Sequence, residues 1–432
     1  MATQVSQRPA VGEKPTHVRF WVIVFAVTLA IITYIDRVCM SVAAPDIQRD
    51  LGLTDQQKGA VFSAFVAAYA LFETPSGFLG DWLGARRVLM RIVIWWSAFT
   101  AFIGVTWNFA SIVITQVLFG IGEAGAFPNL TKAFTAWLPF EERVRAQGIL
   151  WLSARWGGAL TPMLVTALLS VMNWRRTFMT LGSVGLVWAV FFYRWYRDNP
   201  RDNPHVNAAE LALLKGNEQM AGGHGDVPWA KFARSKQVWL LCAQYFCLSY
   251  PWYFYITWLP TYLRTARHVD VTKSAILGGL PLFLGGVGCL VSGLFARHLT
   301  KATGSTTRTR RILAYTGFTG ACALLLLASQ LDNVVLTMVA MGFASFCNDL
   351  VMPGAWGAAM DVGGKYAGTL SGTMNMMGNI GGSLSSFLIG VILQHTHNWE
   401  ILFYVSAAVY FMGNFCWMAL DPVTPLERAD QH

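Results

Sequence analysis

Twelve long apolar stretches divide this 432-residue chain, and they constrain its fold more than any other feature. Each has the roughly 20 residues that a helix needs to cross about 30 Å of hydrocarbon. Charged residues make up only 13% of the chain, whereas soluble proteins contain about 25%. The pattern predicts an all-α polytopic membrane protein and excludes a soluble enzyme, a disordered regulator and a secreted disulfide scaffold. The predicted spans 1 to 12 cover residues 20–44, 58–80, 88–107, 110–137, 144–171, 177–196, 237–263, 274–297, 311–330, 333–358, 366–394 and 399–420.

The distribution of positive charge predicts the orientation of the chain. An even number of spans places both termini on one side, and that side, with the span ends that reach it, carries 23 Lys and Arg against 7 on the opposite side. Because positive charge marks the cytoplasmic side, we expect both termini to be cytoplasmic in a multi-pass protein of the inner (plasma) membrane. Topology thus accounts for the net charge of +9, and no nucleic-acid partner is expected.

One polar segment separates two sets of six spans. Residues 197–236 begin with RDNPRDNP and contain paired Pro and several Gly, which is typical of a linker. Two six-helix halves around a linker are the repeat plan of many secondary transporters. The predicted domains are an N-terminal tail (1–19), a six-helix bundle (20–196), a cytoplasmic linker (197–236), a second six-helix bundle (237–420) and a C-terminal tail (421–432).

The loop after span 2 reads GFLGDWLGARR over residues 77–87. It resembles the signature loop of the major facilitator superfamily, with Gly77, Asp81, Gly84, Arg86 and Arg87 in the matching positions. Gly77 permits close helix approach, Gly84 permits a tight turn, and Asp81 can pair with the two arginines or cap a helix N-terminus. The resemblance implies that this gating motif closes the cytoplasmic side in one transport state, and a generic charged turn is the alternative.

Five further segments together resemble the anion:cation symporter family of that superfamily. That family includes bacterial sugar-acid and organic-acid permeases and the animal sialic-acid and vesicular glutamate carriers. The resemblance covers about residues 18–420, and it implies a major facilitator fold with 12 transmembrane helices in two six-helix halves. The segments are ITYIDRVCMSVAAPDI (32–47), FGIGEAGAFPN (119–129), DNPRDNP (198–204), YPWYFYITWLPTYL (250–263) and YAGTLSGTMNMMGNIGG (366–382).

Charged residues inside spans are costly and usually functional. Arg37 of span 1 shares a helical face with Tyr34 and Ser41, and a guanidinium is well suited to bind a carboxylate. The resemblance implies that the arginine at this position binds the substrate carboxylate, with Tyr34 beside it. A structural ion pair within the N-terminal half is the alternative.

Two carboxylates of the N-terminal half are the expected proton carriers. All eight His lie in loops, tails or span ends, so a proton that crosses the interior must use a carboxylate. Burial raises the pKa of a carboxyl group and a neighbouring cation lowers it. A Glu whose arginine is alternately free and occupied by substrate therefore binds and releases a proton. The resemblance implies this role for Glu123 of span 4, while Asp36 either shares it or pairs within its own half.

One position departs from the family pattern. The family commonly has an Arg seven residues before this Glu, where the present chain has Gln116. Span 5 instead carries Arg155 within LSARWGGALTP. We therefore expect Arg155 to lie near Glu123 and to replace the missing arginine in supporting substrate or Glu123. The alternatives are that Arg155 snorkels or pairs with Asp36.

The other interior polar residues allow more than one interpretation. Glu73 of span 2 is interpreted as gating or structural, whereas Asp349 of span 10 either touches the cavity or holds span 10 against span 11. Spans 7 and 11 are expected to supply neutral contacts to substrate hydroxyls, with an aromatic belt and interhelical packing as the alternatives. These candidate substrate-binding residues are Gln244, Tyr245, Tyr253, Asn375 and Asn379.

The predicted function is that of a proton-coupled symporter that imports an organic anion by alternating access, with a sugar acid (aldonate, hexuronate or aldarate) favoured. The alternatives are an anion antiporter, an efflux carrier of the same fold and a non-transporting membrane sensor. No Walker loop, HExxH motif or nucleophile elbow is present, so no enzyme activity is expected. Seven Cys without a CxxC pair indicate no metal site. We expect no cofactor besides the coupling proton, and a monomer.

Overall fold

The computed structural model describes residues 14–217, 220 and 227–426, and all regular secondary structure in these ranges is helical. Most of the predicted N-terminal tail, part of the predicted linker and the end of the C-terminal tail lie outside the described residues. The helices are α1 (Phe20–Leu51), α2 (Asp55–Leu83), α3 (Ala85–Ile103), α4 (Phe109–Glu123), α5 (Ala126–Trp137), α6 (Phe140–Val171), α7 (Trp174–Trp195), α8 (Ala208–Leu213), α9 (Trp229–Arg234), α10 (Lys236–Thr257), α11 (Leu259–Thr261), α12 (Val271–Thr303), α13 (Thr306–Ser329), α14 (Val334–Gly363), α15 (Ala367–Thr396) and α16 (Glu400–Ala419).

The twelve predicted spans map onto these helices in order. Span 4 is α4 followed by α5, spans 1–3, 5 and 6 are α1–α3, α6 and α7, and spans 7–12 are α10 and α12–α16. The N-terminal half therefore comprises α1–α7 and the C-terminal half α10–α16. The predicted all-α, polytopic fold class is confirmed.

Local sequence explains where several helices begin and end. Thr54 caps α2 through its side-chain oxygen, which accepts from the backbone amide of Gln57. In turn, the Gln57 side chain accepts from the backbone amide of Thr54. Asn108 caps α4 in the same reciprocal way with Ser111. Gly52 ends α1 with φ of 64°, a left-handed conformation that glycine adopts without steric cost. The connections between consecutive spans within each half are consequently short.

Seven helical stretches of the described chain are long and apolar enough to cross a membrane by length and composition. Two of these stretches contain two helices each, Phe109–Trp137 (α4 and α5) and Val334–Thr396 (α14 and α15). Large apolar side chains such as Leu71, Met163 and Phe387 remain more than half exposed on the outside of the helices. In water such a surface would drive association, whereas lipid tails cover it, as expected for a membrane-embedded bundle.

Span 4 is interrupted at Ala124 and Gly125, and this interruption positions its buried acid. Glu123 is the last residue of α4, and α5 starts at Ala126. A Cβ on Gly125 would lie 2.5 Å from Ser76 Cβ of α2 and 2.6 Å from Ile92 Cδ1 of α3. Only glycine therefore lets these two helices pack this closely against the break in span 4. Close packing on both sides of the break therefore fixes Glu123 in the interior.

The described ends of the helical bundle lie on the same face as the linker. Glu210 of α8 accepts hydrogen bonds from the backbone and guanidinium of Arg19, which directly precedes α1. Near the C-terminal end of the described chain, the Asp421 amide donates to Gln237 in the first turn of α10, on the same face. We call this side of the bundle the linker face.

Candidate functional site

A cavity of about 630 Å³ lies between the two halves. Its lining reaches Arg264 beyond α10 and Ser274 in the first turn of α12, and both lie at the end of the bundle away from the linker face. Towards the linker face, the indole rings of Trp151 (α6) and Trp356 (α14) pack with centroids 5.2 Å apart. The cavity is therefore open to the face opposite the linker and closed towards the linker face.

Arg37 and Glu123 form an ion pair at the N-terminal wall of this cavity. Arg37 Nε donates to Glu123 Oε1 at 2.8 Å, and Arg37 lines the cavity with a side chain that is 24% exposed, whereas Glu123 is fully buried. The guanidinium carbon lies 4.2 Å from the centroid of the Tyr69 ring and 5.8 Å from that of Tyr34. Arg37 Nη2 and Glu123 Oε2 are both buried without a hydrogen-bond partner in the described part of the chain. The pair thus keeps one nitrogen and one oxygen that are buried and unused.

Asp36 lies next to this pair but on another side of α1. Its carboxylate is buried and accepts one long hydrogen bond, from Thr100 Oγ1 at 3.4 Å, while Oδ1 has no partner among the described residues. The structure thus places Asp36 against α3 within the N-terminal half. We call Asp36, Arg37 and Glu123 the cavity charge cluster.

The structure contradicts the expectation that Arg155 partners Glu123. Arg155 Nε and Nη2 instead donate to the two carboxylate oxygens of Asp349 at 2.8 and 2.9 Å, a bidentate pair that joins α6 of one half to α14 of the other. The expectation was wrong because α6 places this side chain towards the C-terminal half, a geometry that helix order alone does not reveal. Gln116, the position of the absent arginine, is buried. The same pair answers the question about Asp349, whose ion-pair partner lies on α6 rather than on α15.

Glu73 links the halves through side chains that were expected to bind substrate. It is fully buried on α2, and its two carboxylate oxygens accept from the side-chain amides of Asn375 and Asn379 on α15. Tyr253 Oη donates to Asn379 Oδ1 at 2.6 Å. Asn375, Asn379 and Tyr253 also line the cavity. These side chains therefore connect the cavity wall to an interhelical contact.

The neutral residues predicted on span 7 divide into two groups. Tyr245 and Tyr253 line the cavity, as does Tyr34 on α1. Gln244 does not: it is fully buried, and its Oε1 accepts from Trp417 Nε1 of α16 at 3.2 Å. Its assignment as a substrate-binding residue is wrong, because successive residues of a helix point about 100° apart and Tyr245 takes the cavity side. Trp252 belongs to the polar and aromatic residues of span 7 but not to the substrate-binding residues selected from them. It also lines the cavity and stacks on the Arg155 guanidinium, 3.9 Å from ring centroid to Cζ.

Residues 77–87, which form the end of α2, Gly84 and the start of α3, lie at the linker face and contact the C-terminal half. Asp81 accepts from the backbone amides of Gly368 and Thr369 at 3.1 and 2.6 Å, and from Thr369 Oγ1 at 2.7 Å. These amides belong to the first turn of α15, where an anion is favoured by the helix dipole. A Cβ on Gly77 would collide with the Gly368 carbonyl. Of the two roles considered for Asp81, the structure shows the helix cap.

The paired arginines of this segment have other partners. The Arg86 amide donates to Asp198 Oδ1 at 2.9 Å, and its guanidinium donates to the Tyr193 carbonyl, whereas Arg87 is exposed. Gly84 has φ of 88°, which is consistent with the expected tight turn. Both arginines thus lie on the N-terminal half, and neither contacts α15.

Two further charged contacts across the halves were missed from the sequence. Lys132 of α5 lies 3.4 Å from Asp81 Oδ1 and donates to the Lys365 carbonyl. Asp361 at the end of α14 accepts from Arg143 of α6 at 2.7 Å and from Arg310 of α13. The sequence signal that could have revealed them was Lys132 near the end of apolar span 4 and Asp361 just after apolar span 10. We call the contacts of Asp81 and Asp361 across the halves the linker-face closure.

Comparison with known proteins agrees with this architecture. The family model described as Major Facilitator Superfamily matches residues 26–386. The probable sulfoacetate transporter of Cupriavidus necator is 33% identical over 408 residues, which is 93% of each chain. The probable L-galactonate transporter of Escherichia coli is 28% identical over 90% of this chain and 86% of its own length.

Solved structures agree on the fold. The crystal structure of the human organic anion transporter MFSD10 superposes with a TM-score of 0.68 at 12% identity, and covers 94% of this chain and all of its own. The superfamily resemblance predicted from residues 77–87 is confirmed, and the family match together with the transporter relatives identifies a transporter rather than an enzyme. The chain therefore belongs to the Major Facilitator Superfamily.

Proposed function

We propose that this protein imports an organic anion together with protons by alternating access, with a sugar acid or a similarly short carboxylate as the cargo. The observation that carries the proposal is the Arg37–Glu123 pair, in which a cavity-lining guanidinium retains a buried, unpartnered Nη2. A guanidinium fork binds carboxylate through two parallel hydrogen bonds. A substrate carboxylate can therefore take the place of Glu123 on Arg37.

Coupling to protons follows from the charge balance of the cavity charge cluster. Glu123 pairs with the single guanidinium of Arg37, whereas Asp36 lies nearby against α3, and each of the two carboxylates has an oxygen without a partner in the described structure. A buried carboxylate without compensation is costly, and protonation removes that cost. When substrate occupies Arg37, Glu123 loses its cation and takes up a proton. We assign Glu123 as the main proton carrier and Asp36 as its neighbour in the relay.

The closed linker face supports import, because it leaves the cavity in the conformation from which an importer takes up its substrate. The excess of Lys and Arg on the linker side assigns that side to the cytoplasm, so the cavity in this conformation faces outward and accepts substrate from outside. Release then requires the linker-face closure to open. We therefore propose that the protein lies in the plasma membrane of the cell, with both termini in the cytoplasm.

The names of the relatives support the cargo class. The relatives compared above are named as a probable sulfoacetate and a probable L-galactonate transporter. Both ligands are short organic anions with a carboxylate, which matches the cavity-lining guanidinium of Arg37 among tyrosine and asparagine side chains. A hydroxyl-rich sugar acid finds donors and acceptors in these neutral groups.

The test is uptake by proteoliposomes that contain the purified protein. An inward proton gradient should drive accumulation of radiolabelled galactonate, glucuronate or galactarate, and a protonophore should abolish it. Accumulation that requires an internal anion and ignores the proton gradient would instead establish an anion antiporter. Binding without any flux would favour the sensor alternative.

A further inference from the structure

A second guanidinium lines the cavity, and it has a donor to spare. Arg155 commits Nε and Nη2 to Asp349. Its Nη1 makes no hydrogen bond in the described part of the chain, and it is not among the side-chain atoms that are sealed from solvent without a partner. Stacking on Trp252 and the two bonds to Asp349 hold the group in place. Arg155 thus lines the cavity with a side chain that is only 1% exposed, and Nη1 is its one terminal nitrogen that is not committed to Asp349.

Arg155 and Arg37 belong to the same part of the cavity. Tyr34 is near both: its ring centroid lies 5.8 Å from the Arg37 guanidinium carbon, and a Cβ on Gly158 would lie 2.9 Å from Tyr34 Cδ1. Gly158 follows Arg155 by three residues and therefore lies on the same helix face. A ligand beside Tyr34 can reach both guanidinium groups.

The two arginines have the same arrangement of partners. Each is held by one buried acid, Glu123 for Arg37 and Asp349 for Arg155, and each keeps an unused nitrogen. A single carboxylate requires only one such group. A second buried ion pair inside a membrane protein carries a desolvation cost that packing alone does not require. Two part-used guanidiniums in one cavity match a ligand with two anionic groups.

We infer that the cavity selects a short organic dianion, with one carboxylate on Arg37 and the second anionic group on Arg155. Asp349 orients Arg155 through their two hydrogen bonds. Asn348 Nδ2 donates to Asp349 Oδ1 at 2.8 Å, and this bond holds the carboxylate in place when the ligand binds the arginine. The inference rests on the proposed function, because it specifies the class of anion that the transporter carries. It makes Arg155 a specificity-determining residue and Asp349 its positioning residue.

The test compares two ligands that differ at one end. Galactarate and galactonate share a six-carbon polyol chain, but galactarate has a carboxylate at both ends. We expect the purified full-length protein to bind galactarate more tightly. The double variant Arg155→Gln/Asp349→Asn removes both charges and so leaves no unpaired buried charge. In this variant the ratio of the galactonate Kd to the galactarate Kd should fall at least about tenfold.

Each result has one meaning. A ratio that stays within about twofold of the wild-type value in the double variant would show that the pair only joins the helices. Tighter binding of galactonate than galactarate by the wild type would overturn the inference and leave the proposed function standing. Binding of neither anion, with no uptake of either, would overturn both. If the double variant does not fold, the same Kd ratio is measured in Arg155→Lys. It should fall there as well, because an ammonium lacks the planar fork.

Discussion

The cavity charge cluster and the linker-face closure are both built from buried acids and bases, yet their hydrogen bonding differs. In the closure, both oxygens of Asp81 and both oxygens of Asp361 accept hydrogen bonds from groups that lie across the halves or beside them. In the cluster, one oxygen of Asp36, one oxygen of Glu123 and one nitrogen of Arg37 are buried without partners in the described structure. A buried polar atom without a partner costs free energy. The acids of the closure are thus fully hydrogen-bonded, whereas each of the three residues of the cluster keeps one buried polar atom without a partner among the described residues.

This difference separates two tasks of an alternating-access transporter. Contacts that hold one conformation must be satisfied in that conformation alone, because a conformational equilibrium shifts only through differential interactions. Groups that bind cargo must keep donors available in the empty state. We therefore expect substitutions in the cluster to change binding and coupling, and substitutions in the closure to change the balance of conformations.

The largest effect is expected at Arg37. Arg37→Ala removes the proposed carboxylate ligand and should abolish uptake. Arg37→Lys keeps the charge but loses the fork, and it should weaken substrate binding by about 1.5–3 kcal/mol, the value of a hydrogen bond to a charged group. Equilibrium binding to purified protein measures this loss. Near-normal uptake by Arg37→Ala would remove the distinction between cluster and closure.

The next effect concerns coupling at Glu123. Glu123→Gln keeps the shape of the side chain but cannot carry a proton. Accumulation driven by a proton gradient should collapse, while exchange of labelled for unlabelled substrate across preloaded vesicles should continue at a measurable rate. Gradient-driven accumulation at the wild-type level would assign the proton to another group, and Asp36→Asn would then be the variant to compare.

A smaller effect is expected at Asp81. Asp81→Asn removes the negative charge at the first turn of α15 and should destabilise the closed linker face by about 1 kcal/mol, a roughly fivefold shift between conformations. Spin labels at the exposed positions 87 and 308, on linker-face ends of opposite halves, report the separation by double electron–electron resonance in a cysteine-free background. The longer-distance population should increase. An unchanged distribution would mean that Asp81 does not stabilise this state.

The smallest effect is expected at Gln244, which serves as a matched control. It is a buried polar residue of α10 next to Tyr245, but it contacts Trp417 rather than the cavity. Gln244→Leu should leave substrate affinity within about twofold and lower stability by about 1 kcal/mol, the typical value of one hydrogen bond. Thermal unfolding and ligand binding on the same sample measure both. A strong loss of affinity would return Gln244 to the site.

The sequence predicted the helices well and the pairing of charges only in part. Span lengths and the residue 77–87 motif identified the fold because hydropathy and a short glycine-rich turn are local properties. Arg37 and Glu123 were both predicted as interior charges, and an ion pair of Arg37 within its own half was one alternative, but the arginine expected beside Glu123 was Arg155. Arg155 was misplaced because its partner, Asp349, lies 194 residues away on the other half. Sequence spacing gives the face of one helix but not the neighbour that this face meets.

Glu73 shows the same limit. Its position in span 2 suggested a gating or structural role, and the spacing of Asn375 and Asn379 gave one polar face of span 11. Only the structure shows that these amides meet the Glu73 carboxylate across the halves. Lys132 was overlooked, although a charged residue within an apolar span is itself a signal of function.

The central claim is that substrate replaces Glu123 on Arg37 and that Glu123 then takes up a proton. Proton uptake upon substrate binding tests it directly, with purified protein in weakly buffered solution and a pH-sensitive dye. The account predicts net uptake of up to about one proton per bound substrate in the wild type, and a clear loss of this uptake in Glu123→Gln that still binds. Binding by the wild type without proton uptake, or equal uptake by Glu123→Gln, would contradict it.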